Sequence, residues 1–417
     1  MGTTSKDLEG TGRDRGRPAP RPRWMSLDAL RGFDMFWIMG GDALARALAA
    51  FGDGPLTGGL ARQLTHAEWE GFHFYDLVFP LFVFVMGASI VFSMERLLEE
   101  RGLWGALLRV FARFALLFAV GIFYSGGFTN AWPEIRLLGV LNRLALCYLG
   151  AALLYCLLRE RPRLLAALAA ALLVGYWALM SFVPYPDLRP VDGAGRRVSE
   201  TMTAENVAQL NWGTTTTLRG IVGPGLNLAN YLDARFLPGK LWEKTWDPEG
   251  LLSTLPALAS ALLGVQAGGL LLQSRVGERR KVGLLALAGS ISVVLGFAWG
   301  IEFPVVKKLW TSSYVLVSAG FSALLLALFH HVIEVRGKRA WCAAFVWYGM
   351  NPITVYLADN LVGFRRVAAR FLGGDVKAFF DARVGAGCGD LVLSLGEVAV
   401  GLCLVWFLHR RRIFLRL

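Results

Sequence analysis

The sequence predicts an all-α membrane protein, a polytopic helix bundle with about ten transmembrane helices and one large extracytoplasmic loop. Of the 417 residues, 55% are hydrophobic and only 18% are charged, and the mean hydropathy is +0.48. Soluble domains usually carry about 25% charged residues. The chain also repeats apolar runs close to the roughly 20 residues that one bilayer crossing requires. These observations together indicate an integral membrane protein.

Ten segments of the chain fit the length and composition of a transmembrane helix. The third segment is the shortest. In chain order the predicted spans are 27–51, 74–94, 110–123, 137–157, 164–183, 251–273, 282–301, 311–332, 342–363 and 391–408.

Basic residues are distributed unevenly between the two faces that these spans define. One face collects the N-terminal tail, the C-terminal end and the loops 95–109, 159–163, 274–281 and 333–340, and it holds 23 of the 43 Lys and Arg residues. Positively charged short loops remain cytoplasmic, so both termini are predicted to be cytoplasmic. The net charge of +12 mostly reflects this asymmetry, and no nucleic-acid partner is needed to explain it.

Residues 1–24 are rich in Arg, Pro and Gly and lack the apolar region of a cleavable signal. They are predicted to form a disordered basic cytoplasmic tail. Residues 25–417 form the predicted transmembrane domain, in which 184–250 is the extracytoplasmic loop. The aromatic residues of that loop fit an aromatic belt at the membrane interface, and they also fit a lid that stacks on sugar rings.

The most informative segment is 66–94, in which His66, His73 and Asp76 directly precede an apolar run. Ionisable groups at the membrane edge are costly to place there, so they indicate a functional site. His66 lies between the first two spans and is the candidate catalytic residue. His73 is a weaker candidate for the same role.

The stretch SLDALRGFDMFWIMGGDAL of the first span contains four charged residues. Asp28, Arg31 and Asp34 are offset by three, which places them on neighbouring turns of one helix face. A structural ion pair of Arg31 with Asp28 or with Asp34 is therefore expected. Asp42 lies near the outer end without a basic neighbour, and it is a candidate to orient the His66 imidazole.

Two later spans also carry polar residues that a lipid-facing helix would not tolerate. Asn142 and Arg143 lie in the fourth span, where Arg143 either pairs with Asp76 or binds the phosphates of a ligand. Asn351 lies where Gly and Pro interrupt the ninth span, and broken helices often line polar cavities. Glu249 and Lys307 are predicted to join the supporting polar network on the outer face.

No metal or disulfide site is predicted from the five cysteines, which show no CxxC spacing.

Several ordered motifs resemble one family of membrane enzymes. They are SLDALRGFD, HAEWEGFHFYDLVFPLFVFVMGASI, RLLGVLNRLALCYL, WDPEGLLSTLPALASALLGVQAG, FPVVKKLWTSSYVL and YGMNPITVYL. In this order and spacing the chain resembles the heparan-alpha-glucosaminide N-acetyltransferase family and its bacterial relatives of the NagX or DUF5009 type. The resemblance extends from about Ser26 to the C-terminus. The chain resembles a bacterial member that consists of the catalytic core, without the additional N-terminal lumenal domain of the animal enzymes.

The resemblance implies an enzyme that moves acetyl from acetyl-CoA to the amine of a glucosamine-type sugar. It also implies that His66, in the HxxWxG segment, is the catalytic residue, and that the protein is a homodimer in a bacterial inner membrane. In the animal members an Asn stands where this chain has Asp42. A carboxylate there would increase the basicity of a nearby imidazole more than an amide would.

Acetyl transfer needs a base, donors for the tetrahedral oxyanion and cations for the phosphates of CoA. His66 acts in this scheme as the base, or as a nucleophile that carries the acetyl group transiently. Asp42 orients His66, Asn142 or Asn351 donates to the oxyanion, and Arg143 contacts a CoA phosphate. The alternative functions are transfer of acetyl to a sugar hydroxyl and transport of a sugar across the membrane.

Overall fold

A computed structural model describes residues 24–50, 54–129, 131–132, 134–202 and 204–414. Regular structure in these residues is almost entirely helical, as the sequence predicts. The exception is a short antiparallel pair of strands, β1 (Tyr185–Pro186) and β2 (Thr217–Leu218). The predicted tail, apart from Trp24, lies outside the described residues.

The described part of the chain contains fourteen α-helices, and each of the ten predicted spans overlaps at least one of them. The helices are α1 (Met25–Ala50), α2 (Pro55–Gln63), α3 (Val78–Tyr124), α4 (Val140–Leu158), α5 (Pro162–Phe182), α6 (Leu228–Phe236), α7 (Thr254–Leu272), α8 (Glu278–Gly300), α9 (Ser312–His330), α10 (Ala343–Met350), α11 (Pro352–Val362), α12 (Phe364–Leu372), α13 (Asp375–Arg383) and α14 (Cys388–Arg410).

Seven helices of the described residues are long and apolar enough to cross a membrane, namely α3, α4, α5, α7, α8, α9 and α14. This number is smaller than the predicted ten for three physical reasons. The second and third predicted spans are joined in α3, the first span has five charged residues, and the ninth is divided between α10 and α11. The class, a polytopic all-α membrane protein, is confirmed.

Helix α3 contains a bend that separates the two predicted spans. Gly102 has φ 65° and ψ −176° within this 47-residue helix. Residues with a side chain rarely adopt a positive φ, so glycine permits the chain to turn here. Each part of α3 has about the 20 residues that a bilayer crossing requires.

Small residues allow the central helices to pack closely. A Cβ atom added to Gly264 of α7 would lie 2.0 Å from the Phe84 carbonyl oxygen of α3, and one added to Gly268 would lie 2.4 Å from the Ala88 carbonyl oxygen. The GxxxG spacing of Gly264 and Gly268 is typical of membrane helices whose backbones approach each other. The span windows of α8 and α5 are the least buried of the seven, which suits helices that face lipid.

Contacts at the two ends of the bundle group the loops as the charge distribution predicts. At one end the His330 ring lies 3.3 Å from Ser26 Oγ and 2.7 Å from Glu278 Oε2, so the start of α1, the start of α8 and the end of α9 meet. At the other end the 66–77 segment meets the 302–311 segment. The predicted sidedness of these ends stays a prediction.

The predicted loop 184–250 forms an ordered cap over this second end. Its apolar side chains form a buried cluster with the ends of α5 and the 302–311 segment, where the Tyr176 hydroxyl donates to the Leu309 carbonyl at 2.7 Å. Trp69 reaches the cap from the 66–77 segment, because its indole N–H donates to the Val222 carbonyl at 2.9 Å. The cap therefore fixes the segment that carries His66.

We expect Gly268→Val to destabilise the protein, because the new side chain would collide with the α3 backbone at Ala88. Overpacking of this kind typically costs about 1–3 kcal/mol. Gly269→Val is the matched control, since a Cβ at Gly269 meets nothing within 4 Å. The measurement is the thermal unfolding midpoint in detergent. Equal midpoints for the two variants would contradict the close packing of α3 and α7.

Candidate active site

The 66–77 segment is positioned by backbone contacts with the 302–311 segment. The Gly71 N–H donates to the Val305 carbonyl at 2.9 Å, and Glu70 and Val306 form an antiparallel bridge. Backbone hydrogen bonds of this kind hold two chain segments in a defined register. The pairing brings Lys307 to the side of His66.

A buried carboxylate holds the imidazole of His66. His66 Nδ1 lies 2.9 Å from Asp76 Oδ1, and the Asp76 side chain is fully buried whereas 49% of the His66 side chain is exposed. The other oxygen of Asp76 accepts the backbone N–H groups of Ala67, at 3.1 Å, and His73, at 3.0 Å. A carboxylate at Nδ1 keeps the proton on that nitrogen, so Nε2 has the free lone pair of a base.

The orientation of Asp76 and His66 is fixed from two further directions. The Tyr314 hydroxyl of α9 donates to the Asp76 carbonyl oxygen at 2.7 Å. The Tyr75 ring stacks on the imidazole, with ring centroids 4.7 Å apart. Gly41 of α1 leaves room for this ring, because a Cβ there would lie 2.4 Å from Tyr75 Cε2.

Lys307 places a primary amine against the same imidazole. Its Nζ lies 2.8 Å from His66 Nδ1 and 3.0 Å from Nε2, and it is 3.6 Å from Asp76 Oδ1. The 302–311 segment thus adds a cation to the pair that the 66–77 segment forms. The site consists of an imidazole, a carboxylate and an amine within contact distance of each other.

The carboxylate that holds His66 in the structure is Asp76, where the sequence analysis assigned this part to Asp42. Asp76 is favoured because it lies in the same short segment, where two backbone N–H groups can also reach it. The side chain of Asp42 lies outside the described residues, and its role stays a prediction.

Asp28 and Arg31 of α1 form a separate ion pair. Arg31 Nη1 lies 3.2 Å from Asp28 Oδ1, so the expected ion pair forms with Asp28. Arg31 also donates to the Gly349 carbonyl at 3.1 Å and to Ser89 Oγ at 2.6 Å. Asp34 is buried, and neither of its carboxylate oxygens has a hydrogen-bond partner among the described residues.

Arg143 is fully buried in the bundle, but it does not pair with Asp76. Its Nη2 donates to the Pro248 carbonyl at 2.7 Å and to Ser253 Oγ, and the guanidinium lies 5.1 Å from the Trp310 ring centroid. Its Nε has no hydrogen-bond partner among the described residues. A role in binding phosphate stays a prediction for Arg143.

The two predicted amide donors lie at different places. Asn142 of α4 donates to the Phe118 carbonyl of α3 at 2.9 Å, which links these helices. Asn351 donates to the Ile413 carbonyl at 3.1 Å. It follows Gly349 by two residues, and Arg31 donates both to the Gly349 carbonyl and to Ser89 Oγ, so this part of the chain lies near Ser89. Ser89 follows Asp76 by thirteen residues, about 20 Å along a helix. The structure therefore does not bring Asn351 to His66.

Arg136 is a polar anchor that the sequence analysis did not identify. Its guanidinium binds both oxygens of Asp247, at 2.9 and 2.6 Å, and Glu249 at 2.8 Å, and it packs on the Trp242 ring. Glu249 thus joins the network through Arg136. The available signals in the sequence were the position of Arg136 directly before the fourth span and the acidic WDPEG motif with which it could pair.

Several tyrosines of the bundle were also not singled out by the sequence analysis. Tyr124 and Tyr356 stack with centroids 4.4 Å apart, and the Tyr314 hydroxyl donates to the Asp76 carbonyl. Their spacing within apolar spans resembles ordinary core residues, so sequence alone gave no signal.

No cluster of three or more His, Cys, Asp or Glu side chains in the described ranges is arranged to bind a metal ion.

The fold and the site define a polytopic helical membrane protein with a His–Asp pair and a lysine at one end of its bundle. Residues 23–186 match the family model of the domain of unknown function DUF5009. The chain is 29% identical over 395 residues to heparan-alpha-glucosaminide N-acetyltransferase of Homo sapiens, an alignment that covers 82% of this chain and 53% of the relative. The enzyme of the same name from Mus musculus is 28% identical over 397 residues, with 82% and 55% covered.

The chain is therefore similar to heparan-alpha-glucosaminide N-acetyltransferases, as its motifs predict. The chain spans about half the length of the curated relatives it matches.

The buried carboxyl of Asp233 in the cap gives a prediction about pH. Asp233 accepts the backbone N–H groups of Leu251 and Asp247, but burial raises its pKa from 3.8 to about 7. Because the pKa is higher in the folded state, the stabilisation that Asp233 contributes should be greatest below about pH 4 and decline up to about pH 7.

We therefore expect the melting temperature of the wild type to fall more between pH 5 and pH 8 than that of Asp233→Asn. Asp187→Asn is the control, because hydrogen bonds from Arg189 hold the pKa of Asp187 below its usual range. Asp187 does not titrate in this interval, so its variant should keep the wild-type slope. A wild-type slope in Asp233→Asn would contradict the burial of Asp233.

Proposed function

We propose that this protein is a membrane-embedded acetyltransferase that moves acetyl from cytoplasmic acetyl-CoA to the amine of a glucosamine-type sugar on the extracytoplasmic side. The relatives named for this class of reaction support the proposal. The single observation that carries it is the His66–Asp76 pair at 2.9 Å, which presents a half-exposed imidazole from a buried carboxylate.

The geometry suits removal of a proton from an amine. Asp76 accepts Nδ1–H, which leaves Nε2 as the base and stabilises the imidazolium that forms when Nε2 takes a proton. The Tyr75 ring and the backbone N–H groups on Asp76 restrict rotation of the pair. A base oriented in this way is ready before the substrate arrives, which lowers the cost of reaching the transition state.

The acetyl group reaches the acceptor amine either directly from the thioester or through an acetyl-imidazole on His66. In direct transfer the amine attacks the thioester carbon while Nε2 takes its proton. In the stepwise route Nε2 attacks first and the amine then attacks the acetyl-imidazole. In both routes the thiolate of CoA leaves, and Lys307 supplies positive charge beside the developing oxyanion.

The donor must extend through the bundle if the sidedness follows the basic loops. CoA then enters from the face that carries the termini, and its acetyl end meets the acceptor near His66. We assign two buried polar residues to the donor path. They are Arg143 of α4 and Asn351, which lies at the interruption between α10 and α11. A location in a bacterial inner membrane and a homodimeric state are part of the same proposal.

We expect His66→Ala to lower the rate of acetyl transfer from acetyl-CoA to glucosamine by roughly 100- to 10,000-fold, because loss of a general base typically has this effect. Asp76→Asn should lower kcat in the same direction, since an amide cannot stabilise the imidazolium as a carboxylate does. The assay measures N-acetylglucosamine formed by detergent-purified protein.

His73→Ala is the matched control for these variants. His73 donates its backbone N–H to Asp76, whereas its ring contacts the Thr65 carbonyl. The substitution therefore keeps the backbone hydrogen bond to Asp76. Activity close to the wild type is expected. Equal losses in His66→Ala and His73→Ala would contradict the assignment of His66 as the base.

A second prediction concerns the two faces of the membrane. In proteoliposomes of uniform orientation, transfer should occur when acetyl-CoA is on the face that carries the termini and glucosamine is on the other. This outcome is expected because His66 lies at the end opposite to the tail-side contacts of Ser26 and His330. Product formed only when both substrates share one face would refute this arrangement.

A further inference from the structure

A primary amine of the protein itself lies where an acceptor amine has to be. Lys307 Nζ is 3.0 Å from His66 Nε2 and 2.8 Å from Nδ1. A base must come within about 2.6–3.2 Å of the proton donor that it serves. The Lys307 amine satisfies this distance in the folded protein without any substrate.

The environment of Lys307 differs from that of the next lysine. Lys307 is 3.6 Å from the buried Asp76 carboxylate, and 20% of its side chain is exposed. Lys308 instead pairs with Glu243 at 3.2 Å and is more exposed. The two neighbouring amines share one local sequence, but only Lys307 contacts the base.

We propose that Lys307 Nζ is a self-acetylation site, acetylated by acetyl-CoA when no acceptor amine is present. The inference rests on the proposed function, because it requires acetyl-CoA to be the donor and His66 the base. The acceptor sugar and Lys307 would compete for the position beside Nε2.

The step balances in atoms and charge. The lysine ammonium gives one proton to solvent, and the resulting amine attacks the thioester carbon. A C–N amide bond forms and the C–S bond breaks. His66 Nε2 takes the second proton from the nitrogen and gives it to the departing thiolate. The products are N-acetyl-lysine and free CoA.

Acetylation changes both the charge and the shape of the site. Acetyl-lysine is neutral, so Asp76 and His66 lose a neighbouring cation, and the added acetyl group fills space beside Nε2. The modified protein should therefore transfer acetyl to sugar more slowly. An acceptor sugar that displaces Lys307 from the imidazole should protect it.

The experiment uses the full chain in detergent, incubated with acetyl-CoA that carries a trideuterated acetyl group, without acceptor. Peptide mass spectrometry then measures the label on Lys307 and Lys308 in the same sample. We expect at least 10-fold more label on Lys307, loss of that label in His66→Ala, and less label on Lys307 when glucosamine is added. Preincubation with acetyl-CoA should also lower the later transfer rate in proportion to this label.

Three results would overturn the inference. Equal labelling of Lys307 and Lys308 would indicate uncatalysed chemistry, and so would label on Lys307 that persists in His66→Ala. The third is absence of label on Lys307 in protein that acetylates glucosamine, which would refute self-acetylation and leave the proposed function intact. Failure of the proposed function is distinguishable, because neither glucosamine nor Lys307 would then be acetylated.

Discussion

The structure at the candidate site depends on the hydrogen bonds that converge on one buried carboxylate. Asp76 accepts hydrogen bonds from the imidazole of His66 and from the backbone N–H groups of Ala67 and His73. A buried carboxylate without these donors would be very unfavourable, so the chain around it must adopt the observed turn. The same interactions give His66 a defined tautomer and a fixed direction. Chemistry and folding at this end of the bundle therefore have a common physical cause.

The rest of the protein positions that turn. Close packing of α3 on α7 through small residues sets the helix that begins directly after Asp76, and Tyr314 of α9 holds the Asp76 carbonyl. The cap, formed by residues 184–250, is fixed to the bundle by Arg136 and by its own apolar cluster. Because the cap and these helices contact the 66–77 segment or its neighbours, together they support the imidazole of His66.

Sequence reasoning predicted the class, the helical spans and His66, because apolar length and costly ionisable residues are visible in one dimension. It predicted the two halves of α3 as separate spans, and the structure shows that they are continuous across a bend at Gly102, where φ is positive.

The sequence analysis assigned the orienting carboxylate to Asp42, since the backbone N–H groups that favour Asp76 depend on a turn that no spacing rule reveals. It named Lys307 without a role, because the pairing of Gly71 with Val305 is a contact between distant segments. Arg136 and the tyrosines were overlooked because their residue types are common at span ends and in cores.

The measurement that tests the central claim most directly is a double-mutant cycle between His66 and Asp76, with kcat/KM for transfer from acetyl-CoA to glucosamine as the readout. If Asp76 acts through the imidazole, the variant that carries both His66→Ala and Asp76→Asn should be no slower than His66→Ala alone, since the carboxylate has nothing left to orient. If instead the two losses multiply, the residues act independently, and the His66–Asp76 hydrogen bond is not the basis of the activity.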